Sequence, residues 1–185
     1  MKPFYHTTHR LALRSRILFL CLLASLAALP AFAQTTWTGA SNTDWNTASN
    51  WSTAAVPTAT SVVIIPNVTN KPILGAGTSA VALSVKVDVG ASLTILATGS
   101  LTINGSEAIG LSNIGTVVNS GSVIIGNTVG PYRGLINYGT FNNAGGTITI
   151  DRTIEFGFLI TQGGIFTNAG GSPSARRQRW EIMAL

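Results

Sequence analysis

Carboxylate pairs are the first side chains to consider, because two of them could together hydrolyse a glycosidic bond. That reaction usually needs two carboxyl groups facing each other across the bond, about 5–9.5 Å apart. Asp151 and Glu155 stand four positions apart, and Asp88 shares one face of a predicted strand with Lys86. Neither pair belongs to a catalytic motif, and the acidic residues are scattered along the chain. We interpret them as solvated surface charges, so the sequence predicts no catalytic residue and no enzyme.

Tryptophans form the second candidate site. Trp37, Trp45 and Trp51 stand close to one another along the chain, and their ring faces could stack on sugars. Alternatively, they could cover the N-terminal end of the fold, where exposed strand edges would invite aggregation. Each buried Trp removes roughly 150–250 Å² from water, an area that a small fold needs at its end. The sequence favours the cap and keeps sugar stacking as the alternative.

Residues 1–33 have the order of a secretory signal peptide. Basic residues come first, residues 17–29 carry no charge, and Ala31-Phe32-Ala33 supplies the small residues of a cleavage site. The uncharged run is too short to span a membrane, since a spanning helix needs about 20 residues. We predict cleavage after Ala33, a secreted or cell-surface protein, and no membrane span in the mature chain. An uncleaved anchor is the alternative.

Removing this leader also removes most groups that could support metal or nucleophilic chemistry. His6, His9 and the single cysteine, Cys21, all lie in it. The mature chain then has no Cys/His set for zinc and no imidazole for a catalytic triad. The sequence therefore predicts no metal site and no cofactor.

The charge of the mature chain argues against nucleic acid as a partner. The whole chain has a net charge of +5, but four of its 11 basic residues are in the leader and three are close to the C-terminus. Between residues 34 and 175, four basic residues stand against five acidic ones. No basic patch is left to neutralise phosphates.

A sequence repeat with a period of about 25 residues determines the predicted fold. The unit is Gly-x-apolar, and a second Gly follows it at a similar period. Such a period is typical of a solenoid, in which each turn packs on its neighbours. Apolar residues two apart between the glycines predict short strands with one face inward. The units begin at Gly115, Gly139 and Gly164, with a less exact copy at Ala91, and the second glycines are Gly121, Gly146 and Gly171.

The predicted fold is therefore all-β: a right-handed parallel β-helix of about four rungs with a Trp-rich N-terminal cap. An antiparallel β-sandwich is the runner-up, since its strands would show the same alternation. Amide side chains precede the glycines of each unit and could stack into ladders if the rungs are in register. These side chains are Asn113, Asn137 and Gln162 in one column, and Asn119, Asn143 and Asn168 in the other.

Four segments follow from these patterns. Residues 1–33 are the signal peptide, 34–82 the Trp-rich cap and first strands, and 83–171 the solenoid repeats. Residues 172–185 lack the repeat and contain a cluster of three arginines. We interpret this last segment as a disordered basic tail or the product of a truncation or frameshift.

The segment from Trp37 to Pro66 resembles the tryptophan-rich opening of many large secreted bacterial surface proteins. The shared features are Trp37-Thr38-Gly39, Asp44-Trp45, Asn50-Trp51, and a Val/Ile strand bounded by prolines. In that group Gly-rich repeats of parallel β-helix type follow, as they do here, and the resemblance covers about residues 37–171. It implies a secreted, adhesin-like protein.

The predicted function is a structural or adhesin-like role at the cell surface, as the N-terminal part of a longer protein. Polysaccharide or cell-surface components are the expected partners, and uncapped strand edges would allow end-to-end self-association. A carbohydrate-active enzyme or sugar-binding module on the same scaffold is the alternative, and a non-functional gene fragment is a third hypothesis.

Overall fold

The structure is a computed structural model that describes residues 33–105, 108–126, 131–153, 155–170, 174–175 and 180–182. The predicted signal peptide, apart from its last residue, lies outside the described residues. So do Gly171 and the arginines at positions 176, 177 and 179.

Three parallel sheets form the walls of a β-solenoid, and the chain visits them in the same order in each of five turns. The first sheet contains β1 (Ala33–Thr36), β2 (Ser61–Ile65), β5 (Ser84–Val87), β8 (Ile109–Asn113), β11 (Arg133–Asn137), β14 (Phe156–Ile160) and β17 (Trp180–Ile182). The second contains β3 (Ile73–Leu74), β6 (Ser92–Ile95), β9 (Thr116–Asn119), β12 (Thr140–Asn143) and β15 (Ile165–Asn168). The third contains β4 (Ser79–Ala82), β7 (Ser100–Ile103), β10 (Ser122–Ile125), β13 (Thr147–Ile150) and β16 (Ser174–Ala175).

The parallel β-helix predicted from the repeat is confirmed. Each pairing between these strands is parallel, which excludes the antiparallel sandwich. The solenoid has one turn more than the expected four, formed by β2, β3 and β4. The sequence repeat did not reveal this turn because fewer residues separate it from the next turn than separate two of the later turns. Ser79 pairs with Ser100, whereas Ser122 pairs with Thr147, and no Gly-x-apolar unit precedes Ser79.

Two short strands extend the stack beyond residue 171. Ser174–Ala175 pairs in parallel with β13, and Trp180–Ile182 pairs in parallel with β14. Both lie in the segment that lacks the sequence repeat, so backbone pairing in the first and third sheets continues past the last Gly-x-apolar unit.

The core is built from columns of inward-facing residues, one residue per turn. In the first sheet such a column consists of Val63, Val85, Leu111, Leu135 and Phe158, which are at most 5% exposed. Alternation along the strands points every second side chain into this space, although β11 buries four residues in a row, Gly134 to Asn137. Stacking then buries the apolar face that no single turn could bury by itself.

Glycines at the corners are required by the close approach of neighbouring turns. A Cβ at Gly139 would lie 2.1 Å from the carbonyl oxygen of Gly115 in the turn before, and one at Gly121 would lie 2.2 Å from that of Gly99. Neither residue has a positive φ, so the requirement is steric. The Gly-x-apolar unit therefore marks the place where one corner rests on the corner of the previous turn.

The predicted amide ladders form inside the second and first sheets. Asn119 Nδ2 donates to Asn143 Oδ1 at 2.8 Å, and Asn143 Nδ2 donates to Asn168 Oδ1 at 2.8 Å. In the other column Asn113 Nδ2 donates to Asn137 Oδ1 at 2.7 Å. The four amides from Asn113 to Asn143 in these two columns are fully buried.

Gln162 does not join the shorter ladder, so that expectation was wrong. The residue that pairs with Asn137 in the next turn is Ile160, and Gln162 is exposed on the corner beyond it. Four residues separate β14 from β15, whereas two separate β11 from β12. The longer corner moves Gly164 further from the end of β14. An amide two residues before that glycine therefore lies on the corner and not in the ladder. Asn137 Nδ2 donates instead to the carbonyl oxygen of Ile165, at 2.9 Å.

Replacing a ladder amide should destabilise the solenoid far more than replacing its neighbour. Asn143→Ala removes an acceptor for Asn119 and donors to Gly146 and Asn168, and it leaves a buried amide without its partner. An unsatisfied buried polar group costs about 1–3 kcal/mol, so we expect a clear fall in melting temperature. Asn142→Ala, on the outer face of the same strand, is the matched control and should cost less than about 1 kcal/mol. Equal losses for the two variants in thermal denaturation would contradict a role for the ladder.

Candidate functional site

The three tryptophans, predicted to form a cap and alternatively a sugar platform, form a single buried cluster. The ring centroids of Trp37 and Trp51 are 5.0 Å apart and those of Trp45 and Trp51 are 4.7 Å apart, both in edge-to-face geometry. Such packing adds about 0.5–1.5 kcal/mol per pair beyond the area buried. The rings are exposed by 0%, 0% and 2% for Trp37, Trp45 and Trp51.

Hydrogen bonds fix two of the three indoles. Trp37 Nε1 donates to the carbonyl oxygen of Asn70 at 2.7 Å, and Trp51 Nε1 donates to that of Trp45 at 2.8 Å. Among the described residues, Trp45 Nε1 finds no acceptor. The indole of Trp45 is thus held by ring packing alone, at the cost of one unsatisfied buried donor.

A buried asparagine shapes the loop that carries these rings. Asn50 Oδ1 accepts from the backbone N–H groups of Ser41 and Asn42, at 2.8 and 3.1 Å. Its Nδ2 donates to Asn42 Oδ1 at 2.7 Å and to the carbonyl oxygen of Asp44 at 2.9 Å. The Asn50 side chain therefore uses all of its hydrogen-bonding capacity within the loop, and this network positions Trp45 and Trp51 on either side of it.

The Trp-bearing segment, which runs from Trp37 to Trp51, lies against the first strands of two sheets. Trp37 forms an antiparallel bridge with Trp51 directly after β1, and Asp44 forms a parallel bridge with Ile73 of β3. All three rings belong to the same apolar cluster as Val63 and Leu74 of the first turn. The segment therefore covers backbone edges that would otherwise be open to another chain.

The Trp cluster cannot serve as a sugar-stacking surface in this conformation. Stacking needs an exposed ring face, and Trp37, Trp45 and Trp51 are all enclosed by their neighbours. The burial of these rings favours the cap over the sugar-stacking alternative. The reason is physical: an indole contributes more by closing the apolar core than a single exposed ring would on the surface.

The described carboxylates are bound by neighbouring cations or backbone groups. Glu155 Oε2 accepts from Arg133 Nε at 2.6 Å, and Asp88 Oδ1 lies 2.7 Å from Lys86 Nζ. The hydrogen bond to Glu155 raises the pKa of Arg133 above its ordinary value. Asp151 accepts from the backbone N–H of Arg152 at 2.9 Å. These contacts support the interpretation of the acids as surface charges.

One edge of the solenoid carries longer connections and a cluster of exposed polar and aromatic groups. This long-loop edge joins the third sheet to the first: a single residue, Leu83, makes the connection in the first turn, whereas seven residues separate β10 from β11. Tyr132 is 46% exposed there, and the Arg133 guanidinium carbon lies 5.7 Å from its ring centroid. The Arg133–Glu155 pair links this turn to the next.

The long-loop edge was missed by the sequence reasoning. Tyr132 and Arg133 lie between two repeat units, and Glu155 is 22 residues further along the chain than Arg133. Only the stacking of turns brings these side chains together. The available signal was the unequal spacing between strands, because loops that interrupt a regular repeat commonly carry binding residues.

Metal-binding clusters and spanning helices are not found in the part of the chain that the structure describes. Within it, no three His, Cys, Asp or Glu side chains come together as a metal site. In the same residues no helix is long and apolar enough to span a bilayer.

Comparison with known proteins identifies one family. A family model described as "Domain of unknown function (DUF8693)" matches residues 36–156, which include the Trp-bearing segment and the turns up to the start of β14. No curated protein and no solved structure matches the chain.

Trp45→Ala should unfold the N-terminal end of the solenoid. Removing a fully buried Trp leaves a large cavity, and we expect a loss of about 3–5 kcal/mol in the free energy of unfolding. Tyr132→Ala removes an exposed ring and should cost less than about 1 kcal/mol. Chemical denaturation of both variants measures the difference. An unchanged midpoint for Trp45→Ala would contradict the capping role and reopen the question of a ligand.

Proposed function

The chain belongs to the DUF8693 family, whose function is unknown, and we propose that it serves as a secreted structural module. In this proposal a Trp-capped β-solenoid displays binding surface on an adhesin-like surface protein. The observation that carries the proposal is the stack of five in-register turns, sealed at its N-terminal end by the Trp cluster. Each turn presents its outward side chains at the same positions, so a weak contact can be repeated along the axis.

The way in which the acidic side chains are used supports a non-catalytic role. Glycoside hydrolysis needs one carboxyl group free to donate a proton and a second free to attack or to activate water. Here Glu155 is bound to Arg133, and Asp88 is bound to Lys86. Asp44 accepts hydrogen bonds from Asn46 N and Thr47 Oγ1 within its own loop. These carboxylates stabilise turns and corners.

Residues directly after the predicted cleavage site already belong to the first sheet. Strand β1 begins at Ala33, and Gln34 pairs with Val62 of β2. Cleavage at the predicted position would therefore leave Gln34–Thr36 in the sheet as the first residues of the mature chain.

We expect the protein, produced with its own leader in a bacterial host, to be exported and to begin at Gln34. Intact-mass spectrometry of the exported fraction measures the processed N-terminus. Ala33→Arg should block processing, because signal peptidases require a small residue directly before the cleavage site. An unprocessed chain that stays in the cytoplasm would contradict the proposed location.

The proposal of a longer surface protein is tested by the DNA sequence beyond codon 185. Further solenoid turns encoded there in any forward frame would support it.

A sugar-binding role is the second candidate, now assigned to the long-loop edge. Tyr132 offers a ring that is 46% exposed, beside a guanidinium and a carboxylate that could bond to sugar hydroxyls. This combination of one aromatic face and flanking charged groups is absent from the Trp cluster, whose rings are buried.

The sugar-binding candidate has a matched control in Tyr138, which is also 46% exposed but lies at a different corner. Affinity electrophoresis through polysaccharide gels should show a several-fold loss of retardation for Tyr132→Ala and none for Tyr138→Ala. Equal mobility of both variants and the unaltered protein would reject sugar binding at this edge. The structural proposal would survive that result, because it does not depend on Tyr132.

A further inference from the structure

The charged residues that the structure describes lie on or beside the first sheet, apart from Asp44, which bridges to β3 of the second sheet. Strands of the second and third sheets contain no Asp, Glu, Lys or Arg, whereas Lys86 and Arg133 lie on strands of the first sheet. Asp88, Asp151 and Glu155 lie at corners beside that sheet. The whole chain is poor in charge, with 9% Asp, Glu, Lys and Arg against about one quarter in ordinary folded proteins, and the strands of these two walls carry none of them.

The outer face of the third sheet is the most uniform of these surfaces. Two ranks of side chains point outward from β4, β7, β10 and β13, and the strands pair in register without a bulge. Every residue of the first rank carries a hydroxyl group, and every residue of the second is β-branched. The first rank is Ser79, Ser100, Ser122 and Thr147, and the second is Val81, Thr102, Ile124 and Thr149.

The hydroxyl groups of this face are available to an external ligand. In the part of the chain that the structure describes, none of the six Ser and Thr hydroxyls of these ranks forms a hydrogen bond to another protein group. Their residues are exposed or half-buried. The same face has no aromatic residue, so it offers nothing on which a sugar ring could stack.

We propose that the outer face of the third sheet binds ice. An ice surface is an uncharged periodic array of O–H groups, and hydroxyls that each donate one and accept two hydrogen bonds can join such an array. The face repeats about every 4.8 Å across strands and about every 6.7 Å along them, a scale similar to the oxygen repeats of ice. β-Branched side chains have restricted χ1 angles and hold their methyl groups in fixed positions between the hydroxyls.

The size of the face argues against a second copy of the chain as its occupant. Four strands at about 4.8 Å and four residues at about 3.3 Å cover roughly 250 Å². A stable protein–protein interface needs about 800 Å² on each partner. Binding to an ice crystal does not need such a large contact area, because the growing crystal encloses a bound molecule.

Ser122 and Ser112 provide a matched pair of positions for the test. They lie in the same turn, point outward and are both half-buried, but Ser122 is on the third sheet and Ser112 on the first. The exported chain is frozen slowly onto a cold surface, and the fraction incorporated into ice is measured. We expect incorporation of the unaltered protein, a loss of at least fivefold for Ser122→Tyr, and less than a twofold change for Ser112→Tyr.

Folding and competing ligands are controlled in the same experiment. Melting temperatures check that both Tyr variants fold, and the double variant Ser100→Ala/Ser122→Ala removes two hydroxyls should the larger side chain prevent folding. Exclusion of the unaltered protein from ice, or equal incorporation of all variants, would overturn the proposal. Retention on microcrystalline cellulose or chitin that only Ser122→Tyr abolishes would reassign the face to a neutral polysaccharide. If the sedimentation coefficient of the unaltered protein rises with concentration and that of Ser122→Tyr does not, the face would be reassigned to contact with a second copy of the chain.

Discussion

Parallel stacking in register is the constraint on which the rest of this structure depends. Each residue must fit the residue at the same position in the turns before and after it. The side chains of one column therefore depend on one another. Gly139 has no side chain because the carbonyl of Gly115 occupies the space where a Cβ would lie. Asn143 is tolerated in the core because Asn119 and Asn168 complete its hydrogen bonds. A buried amide without such neighbours would be costly.

The same constraint makes the ends of the stack a problem, because among the described residues β1 is the only strand that lies beyond the first turn. The Trp-bearing segment meets this need in two ways. Its backbone bridges to β3 through Asp44, and its rings extend the apolar column over Val63 and Leu74. Asn50 stabilises the loop with four hydrogen bonds that an extended conformation would not form. The cap is thus a small folded structure and not merely a covering strand.

Outward side chains do not have to fit the packed core, so their chemistry can differ from wall to wall and serve a function. They differ between the walls: charges and long connections gather at the first sheet and its edges, and hydroxyl and β-branched groups cover the third. The Arg133–Glu155 pair joins two turns at a partly exposed edge, where ion pairs contribute little to stability. The contrast between a charged edge and an uncharged wall gives the molecule two chemically distinct surfaces on one scaffold.

The sequence by itself determined the fold class, the corners and the longer amide ladder, because Gly139, Gly164 and Asn143 recur at the period of the turns that they join. It also located the Trp cluster and favoured a cap. Only the tertiary structure decided that a fifth turn exists, that Gln162 leaves its column, and that Arg133 meets Glu155. Each of these depends on the length of one particular turn, and the turns differ: the path from Ser79 to its partner Ser100 is shorter than the path from Val85 to its partner Leu111. A sequence repeat reports the average period, whereas contacts between turns depend on each corner separately.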